Sequence, residues 1–183
     1  MAEFTLGDQM PNFQLNATDG TTFDFHQFQQ THPNQWYFVI NFRGSWCPVC
    51  MEELDSLIKN VGYFEKKNIQ IILTSNDTAE NLRQMVEEKQ VPYPVLVDEN
   101  NDFANTYGVY SHPDDSIYDD HGTHNEPAYF LVSEDNRLLY QQKQTNPFGR
   151  PSMIELRKII QYIQKSYKRL NSRKRIVLLE MWL

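Results

Sequence analysis

Residues 36–42 read WYFVINF, an apolar and β-rich run whose one polar break is Asn41. A run without polar alternation suits a strand covered on both faces, the usual state of a strand inside a sheet flanked by helices. Its neighbours support that reading. Leu54, Leu57, Ile58, Val61 and Phe64 follow with helical spacing, and Ile69–Leu73 forms the next strand. The segment 74–78, TSNDT, offers helix caps, and Leu82, Met85 and Val86 give a helical face. Val95–Val97 is a short strand, and residues 102–107 form a short helix stopped by Gly108. Ala128–Val132 and then Arg137–Gln142 read as strands joined by a turn, the second an antiparallel partner of the first. Upstream, two alternating runs, 13–17 and 22–25, flank Asp19-Gly20, a hairpin signal. Downstream, Pro151 opens a helix with Ile154, Ile159, Ile160 and Ile163 on its buried face, and no Gly or Pro follows to end it. Alternating β and α elements predict an α/β fold with a mixed sheet flanked by helices and an N-terminal hairpin.

The chain of 183 residues is long enough to bury a core without staples. Its net charge of −7 argues against a nucleic-acid partner, because phosphate binding needs a basic surface. The charge is uneven. From Lys165 onward the net is +5, which leaves −12 on the rest. No apolar run is long enough to span a bilayer. Residues 1–15 carry acids and no apolar core of a secretory signal, so the expected compartment is the cytoplasm.

The two cysteines stand three apart, in Cys47-Pro48-Val49-Cys50, between the apolar strand and an amphipathic helix. Neighbours so close cannot staple distant parts of a fold, so a disulfide scaffold is excluded. Unpaired N–H groups and the positive dipole end of a helix favour a thiolate there. A thiolate attacks a disulfide or a peroxide, and a second sulfur three residues on can resolve the adduct. Cys47, at the helix start, is therefore expected to be the more exposed and the more acidic. Two other readings stand beside this one: an inert buried pair, or half of a zinc site completed by His112, His121 or His124.

The stretch FRGSWCPVC, residues 42–50, with Glu53, resembles the active-site segment of the redoxins. These are thioredoxin-fold proteins of the alkyl hydroperoxide reductase/thiol-specific antioxidant superfamily, and this form is most similar to the peroxiredoxin-like branch. Four further segments resemble the family in the right order: GDQMPNFQL at 7–15, YPVLVD at 93–98, EPAYFLV at 126–132 and GRPS at 149–152. The resemblance implies a thioredoxin-like fold and thiol-based redox chemistry. It makes Cys47 the nucleophile, Cys50 the resolving thiol, and Pro127 a cis-proline facing the sulfurs. Glu53 would relay a proton near Cys50. The bland alternatives are a plain strand-entry proline and an ordinary first-turn acid stabilised by the helix dipole.

One departure matters. Peroxidatic sites of the family read P-x-x-x-[TS]-x-x-C. Aligned on Cys50, the hydroxyl position holds Cys47; aligned on Cys47, it holds Gly44. Neither supplies the hydroxyl that orients a peroxide, so disulfide chemistry is expected ahead of peroxide chemistry. Arg43 either stabilises a thiolate or pairs with an acid of the acidic body. Trp46 either shields the site or is hydrophobic cover. Arg150 resembles the late arginine of peroxiredoxins, at a distance from the sulfurs that spacing does not give.

The resulting expectation is one thioredoxin-like domain over 1–168 and a basic–apolar tail over 169–183. It acts as a thiol–disulfide oxidoreductase without metal or organic cofactor. A protein or low-molecular-weight thiol re-reduces it, and its substrate is an oxidised disulfide or, on the alternative reading, a hydroperoxide. A redox-inert interaction module is a third reading, which the paired sulfurs oppose. The tail, ending in Trp182-Leu183, reads as a helix extension, a homodimer contact or a membrane-surface contact. The polar loop 111–126, with His112, Asp114, Asp115, Asp119, Asp120, His121 and His124, is expected to border the site.

Overall fold

The structure, a computed structural model, describes residues 3–113 and 121–180. The chain divides into two units, Met1–Arg150 and Pro151–Leu183. In the first, β1 (Gln14–Ala17) and β2 (Thr22–Asp24) pair antiparallel as the expected hairpin, with Gly20 in the turn at φ 86°. The alternation of residues 22–25 does not carry the strand through Phe25. Asp24 instead caps α1 (Phe25–Thr31), its carboxylate accepting from the Gln27 N–H, and local capping overrides the strand pattern.

The elements then run β3 (Trp36–Asn41), α2 (Pro48–Lys59), α3 (Val61–Lys66), β4 (Ile69–Ser75), α4 (Ala79–Lys89), β5 (Val95–Val97) and α5 (Asp102–Tyr107). After them come β6 (Ser111–His112), β7 (His124–Asn125), β8 (Ala128–Val132) and β9 (Leu138–Lys143). The main sheet has the order β2-β1-β5-β4-β3-β8-β9. Strands β3, β4 and β5 are parallel, joined by helical crossovers. β1 and β8 pair antiparallel to β5 and β3, and the β8–β9 pair forms the antiparallel edge.

Every residue of β3 is buried, as its composition requires. Its two faces carry different loads. Tyr37 and Val39 join Phe13, Phe25, Phe103, Tyr107 and Phe130 in an aromatic core. Phe13 stacks on Phe25 at 4.9 Å, and Phe103 on Tyr107 at 4.3 Å. On the opposite face, Ile40 lines a small pocket with Phe42 and Leu73, and with Cys50, Glu53, Leu54 and Leu57 of α2. The helix that starts at the cysteines is thereby seated on β3 and β4.

Residues 111–126 are not all loop. β6 and β7 pair antiparallel, Ser111 with Asn125 and His112 with His124. Side chains rather than apolar alternation hold this ribbon, so no periodicity announces it. Ser111 Oγ donates to Asn125 Oδ1 at 2.7 Å, Asn125 Nδ2 donates to Asn101 Oδ1 at 2.8 Å, and the Asn125 N–H donates to Asn76 Oδ1 at 3.1 Å. Asp114, Asp115, Asp119 and Asp120 lie outside the described residues.

The second unit is α6 (Met153–Glu180). Ser152 and Glu155 form a reciprocal capping box at its start, at 2.8 and 3.3 Å. The helix continues unbroken past residue 168, into the segment read as a tail. Trp182 and Leu183 lie outside the described residues. Among the described residues, no helix is long and apolar enough to cross a membrane.

Candidate active site

The loop 42–47 leaves the C-terminal end of β3 and is fastened at each step. The Phe42 N–H donates to Thr74 O at 3.0 Å, and Ser75 Oγ donates to Arg43 O at 3.2 Å. The N–H and hydroxyl of Ser45 both donate to Asp77 Oδ2, at 2.8 and 2.6 Å. Burial pushes the Asp77 carboxyl up, but hydrogen bonds from Ser45, Asn81 and Thr78 outweigh it and hold the group below the ordinary range.

This anchoring delivers Cys47 as the N-cap of α2, with Pro48 in the first turn. Cys47 Sγ accepts the Cys50 N–H at 3.3 Å. Both cysteines are free thiols. They are 1% and 2% exposed, so the expectation that Cys47 is the more exposed is not met: both sulfurs sit inside the fold.

The expected difference in acidity is present. The Cys50 thiol donates to Cys47, the Cys50 N–H adds a second hydrogen bond, and the charges of Arg150 and Arg43 act in the same sense. Together they lower Cys47 from 9.0 to about 6, against the opposing effect of burial. Cys50 moves the other way. Burial is the main cause, and a negative Cys47 beside it adds to the rise.

Arg150 is the residue whose place spacing could not give. Its Nη2 lies 3.0 Å from Cys50 Sγ and 3.9 Å from Cys47 Sγ. Its Nη1 meets Glu53 Oε2 at 2.5 Å, and its Nε donates to Pro147 O at 2.7 Å. The other Glu53 oxygen accepts from Tyr129 Oη at 2.6 Å. Tyr129, at 0% exposed and on β8, escaped the sequence reading because it stands in the apolar run AYFLV. Burial and the Glu53 charge push its hydroxyl up, so it stays a proton donor.

Trp46 lies under Arg43, whose guanidinium carbon is 4.8 Å from the indole centroid. His121 contacts the indole at 4.0 Å between centroids, and His124 meets it edge-on at 5.3 Å. Gly44 provides the space. A Cβ there would stand 2.3 Å from Trp46 Nε1. Arg43 is buried and pairs with Glu126 at 3.3 Å, so its pairing with an acid, one of the two open readings, is present.

Arg43, Trp46, Cys47, Cys50 and Glu53 are thus linked around one pair of sulfurs. Pro127 needs a correction. No cis peptide occurs among the described residues, so it is a trans proline at the entry to β8. The Glu126 carbonyl before it accepts from Asn41 Nδ2 at 3.0 Å, and the Pro127 carbonyl itself accepts from the Gln144 N–H at 2.9 Å, which holds the segment extended. Among the described residues, no cluster of three or more His, Cys, Asp or Glu side chains is arranged to hold a metal.

Residues 6–141 match the model of the AhpC/TSA family. The chain belongs to that family. The thiol-disulfide oxidoreductase ResA of Bacillus thuringiensis subsp. konkukian is 25% identical over 139 residues, covering 75% of this chain and 69% of the relative. A peroxiredoxin of Aquifex aeolicus is 29% identical over 112 residues, 57% of this chain. The match covers 48% of that peroxiredoxin, so the chain spans about half its length. Among solved structures, Mycobacterium bovis AhpC superposes with a TM-score of 0.73 at 23% identity, over 91% of this chain and 96% of that one. The fold is the thioredoxin-like fold of the peroxiredoxins. The relatives are thiol-dependent oxidoreductases, and this AhpC/TSA chain is of that class.

Proposed function

We propose that this protein is a thiol–disulfide oxidoreductase in which Cys47 attacks and Cys50 resolves. The observation that carries the reading is the unequal pair: a low Cys47 at the helix start, hydrogen-bonded to a Cys50 that keeps its proton. The Cys47 thiolate attacks one sulfur of a substrate disulfide. A mixed disulfide forms, and the first substrate thiolate leaves and takes up a proton. Cys50 then passes its proton toward the Glu53–Arg150 pair and attacks Cys47 Sγ. The second substrate thiol leaves, and Cys47 and Cys50 are joined. Two equivalents of an external thiol, protein or small molecule, return the pair to the dithiol. No metal or organic cofactor enters these steps.

Stopped-flow Trp fluorescence tests this reading. Reduced protein is mixed with small disulfides, oxidised thioredoxin-type proteins, hydrogen peroxide and an organic hydroperoxide. Faster oxidation by a disulfide is expected. The reverse order overturns it and favours a second reading, peroxide reduction at Cys50. One observation supports that alternative: Arg150 Nη2 lies closer to Cys50 Sγ, the sulfur aligned with the peroxidatic position, than to Cys47 Sγ. In that case Cys50 forms the sulfenic acid when Cys47 is replaced by Ser.

We further propose the cytoplasm as its compartment and residues 169–183 as a contact between two copies. The charge contrast between this basic segment and the acidic remainder supports the contact. Truncation after Tyr167 should then turn a dimer into a monomer, roughly halving the solution mass, and an unchanged number of copies per particle removes the proposal.

A further inference from the structure

Next to the sulfurs lies a buried charge cluster that the steps above do not use. Arg43, His124, Glu126 and His112 are 5%, 3%, 1% and 3% exposed. Arg43 Nε is 3.3 Å from Glu126 Oε2, and Arg43 Nη2 is 2.8 Å from His124 Nε2. His124 Nδ1 lies 2.7 Å from the Gly122 carbonyl, which only accepts, so Nδ1 carries the hydrogen. In the neutral ring the lone pair on Nε2 is then free to accept from Arg43. His124 Nε2 also lies 3.2 Å from Glu126 Oε1, and His112 stacks on the His124 ring at 5.1 Å. Across Trp46, His121 closes the group.

The acceptors are held by backbone. The Glu126 N–H donates to Tyr110 O at 2.8 Å, and its carbonyl accepts from Asn41. Asn125, between His124 and Glu126, is held by Ser111, Asn101 and Asn76. The Arg43 Nε–Glu126 Oε2 contact is an ion pair rather than a hydrogen bond, so the hydrogen-bond contact of Arg43 Nη2 with His124, itself fixed by the Gly122 carbonyl, is what orients the guanidinium.

We propose that His124 and Glu126 are positioning residues for Cys47, acting by holding the Arg43 guanidinium over Trp46, the residue joined to Cys47. The inference rests on Cys47 as the attacking sulfur. Arg43 adds to the Cys50 hydrogen bonds and the Arg150 charge that hold the Cys47 thiol low, so moving it should change the thiolate fraction near pH 6 without abolishing it. Glu126 opposes that effect if it acts by its own charge and supports it if it acts through Arg43. The two routes therefore differ in sign.

The test is the pH profile of Cys47 alkylation in the full-length reduced protein, with the adduct mapped by mass spectrometry. Glu126→Asp keeps the charge but shortens its reach, and His124→Leu removes the acceptor. Each should slow alkylation at pH 6 by about two- to threefold, the scale of a charge displaced by a few ångströms at an effective dielectric near 20 and less than loss of the stronger Arg150 charge. His124→Gln, whose amide oxygen can accept in place of Nε2, should recover most of the loss. In an Arg43→Gln background, none of the three should add a further effect. Unchanged or faster alkylation in Glu126→Asp overturns the proposal, as does an effect that persists without Arg43. If His124→Leu does not fold, Glu126→Asp and its Arg43→Gln double variant still decide. Labelling of Cys50 in the unsubstituted protein defeats the attacking role of Cys47 as well. Labelling of Cys47 with insensitive variants defeats this inference alone.

Discussion

Arg150 Nη2 lies 3.0 Å from Cys50 Sγ, across 100 residues of sequence. The same guanidinium neutralises Glu53 and reaches toward Cys47, so one cation serves two sulfurs and a carboxylate. Charge-assisted bonds of this kind weigh more in a water-poor site than at a surface.

Arg150→Gln removes a charge that lowers both thiols. Cys47 alkylation at pH 6 is expected to slow by about tenfold, roughly 1.4 kcal/mol. It also leaves Glu53 without its cation, and loss of one partner of a buried pair costs about 3 kcal/mol. Urea unfolding of the reduced variant measures the second effect, and equal stability would show that Glu53 finds another partner.

Glu53→Gln separates the two chemical steps. The carboxylate lies between Tyr129 and Arg150, on the Cys50 side of the site. Attack by Cys47 should change little, whereas deprotonation of Cys50 should slow by about 100-fold, the low end of general base catalysis. Acid quenching followed by mass spectrometry should then find a mixed disulfide on Cys47 that the parent protein does not accumulate.

The stability of the reduced protein should depend on pH in two opposite ways. Cys47 is lowered from 9.0 to about 6 in the folded state. Between those values the unfolded chain holds a proton that the native chain has lost, so stability from this group rises with pH. It is present above pH 9 and lost as pH falls through 6. Cys50 is raised, so above pH 9 the native chain keeps a proton that the unfolded chain loses, and its contribution falls. Thermal melts from pH 5 to pH 10 should show a maximum for the dithiol form. The Cys47–Cys50 disulfide form has no thiol to titrate and should lack these two contributions.

Gly44→Ala tests the seat of Trp46. The added Cβ would overlap the indole, with Nε1 at 2.3 Å. The indole is confined by Arg43, His121 and His124, so it cannot move aside without losing them. The expected cost is about 1–3 kcal/mol, typical of overpacking. Trp emission should shift to the red, with Trp46→Phe as the reference that identifies the signal.

Much of the fold was legible because the strands of the main sheet are written in apolar blocks and the helices in capped, periodic ones. Thr78, for instance, caps α4 through its hydroxyl, as the cap-rich segment before it suggested. The β6–β7 ribbon was not legible, because it rests on Asn125 and its side-chain partners rather than on any period. Of the site, the Cys47–Cys50 pair could be read from its place between strand and helix. Tyr129 could not, since a hydroxyl within an apolar strand gives no sign of the carboxylate it will meet. Glu126 and His124 fall in the polar loop expected to border the site, but no spacing told which of its side chains would reach Arg43; the pairing of β6 with β7 and the start of β8 bring them there.

Asn41 is the one polar letter in β3. Its amide nitrogen donates to Glu126 O, and its amide oxygen accepts from Thr74 Oγ1 at 3.0 Å, with all three side chains or backbones out of reach of solvent. A hydrophobic strand can trade one apolar neighbour for another and slide, but an amide with both ends engaged cannot. A slip of one residue in β3 would turn this side chain to the other face and strand a buried donor and acceptor. Asn41 therefore works as a key that admits one alignment of β3 with β4 and β8. It sits immediately before the segment that carries the sulfurs, where an error of one residue would be most damaging.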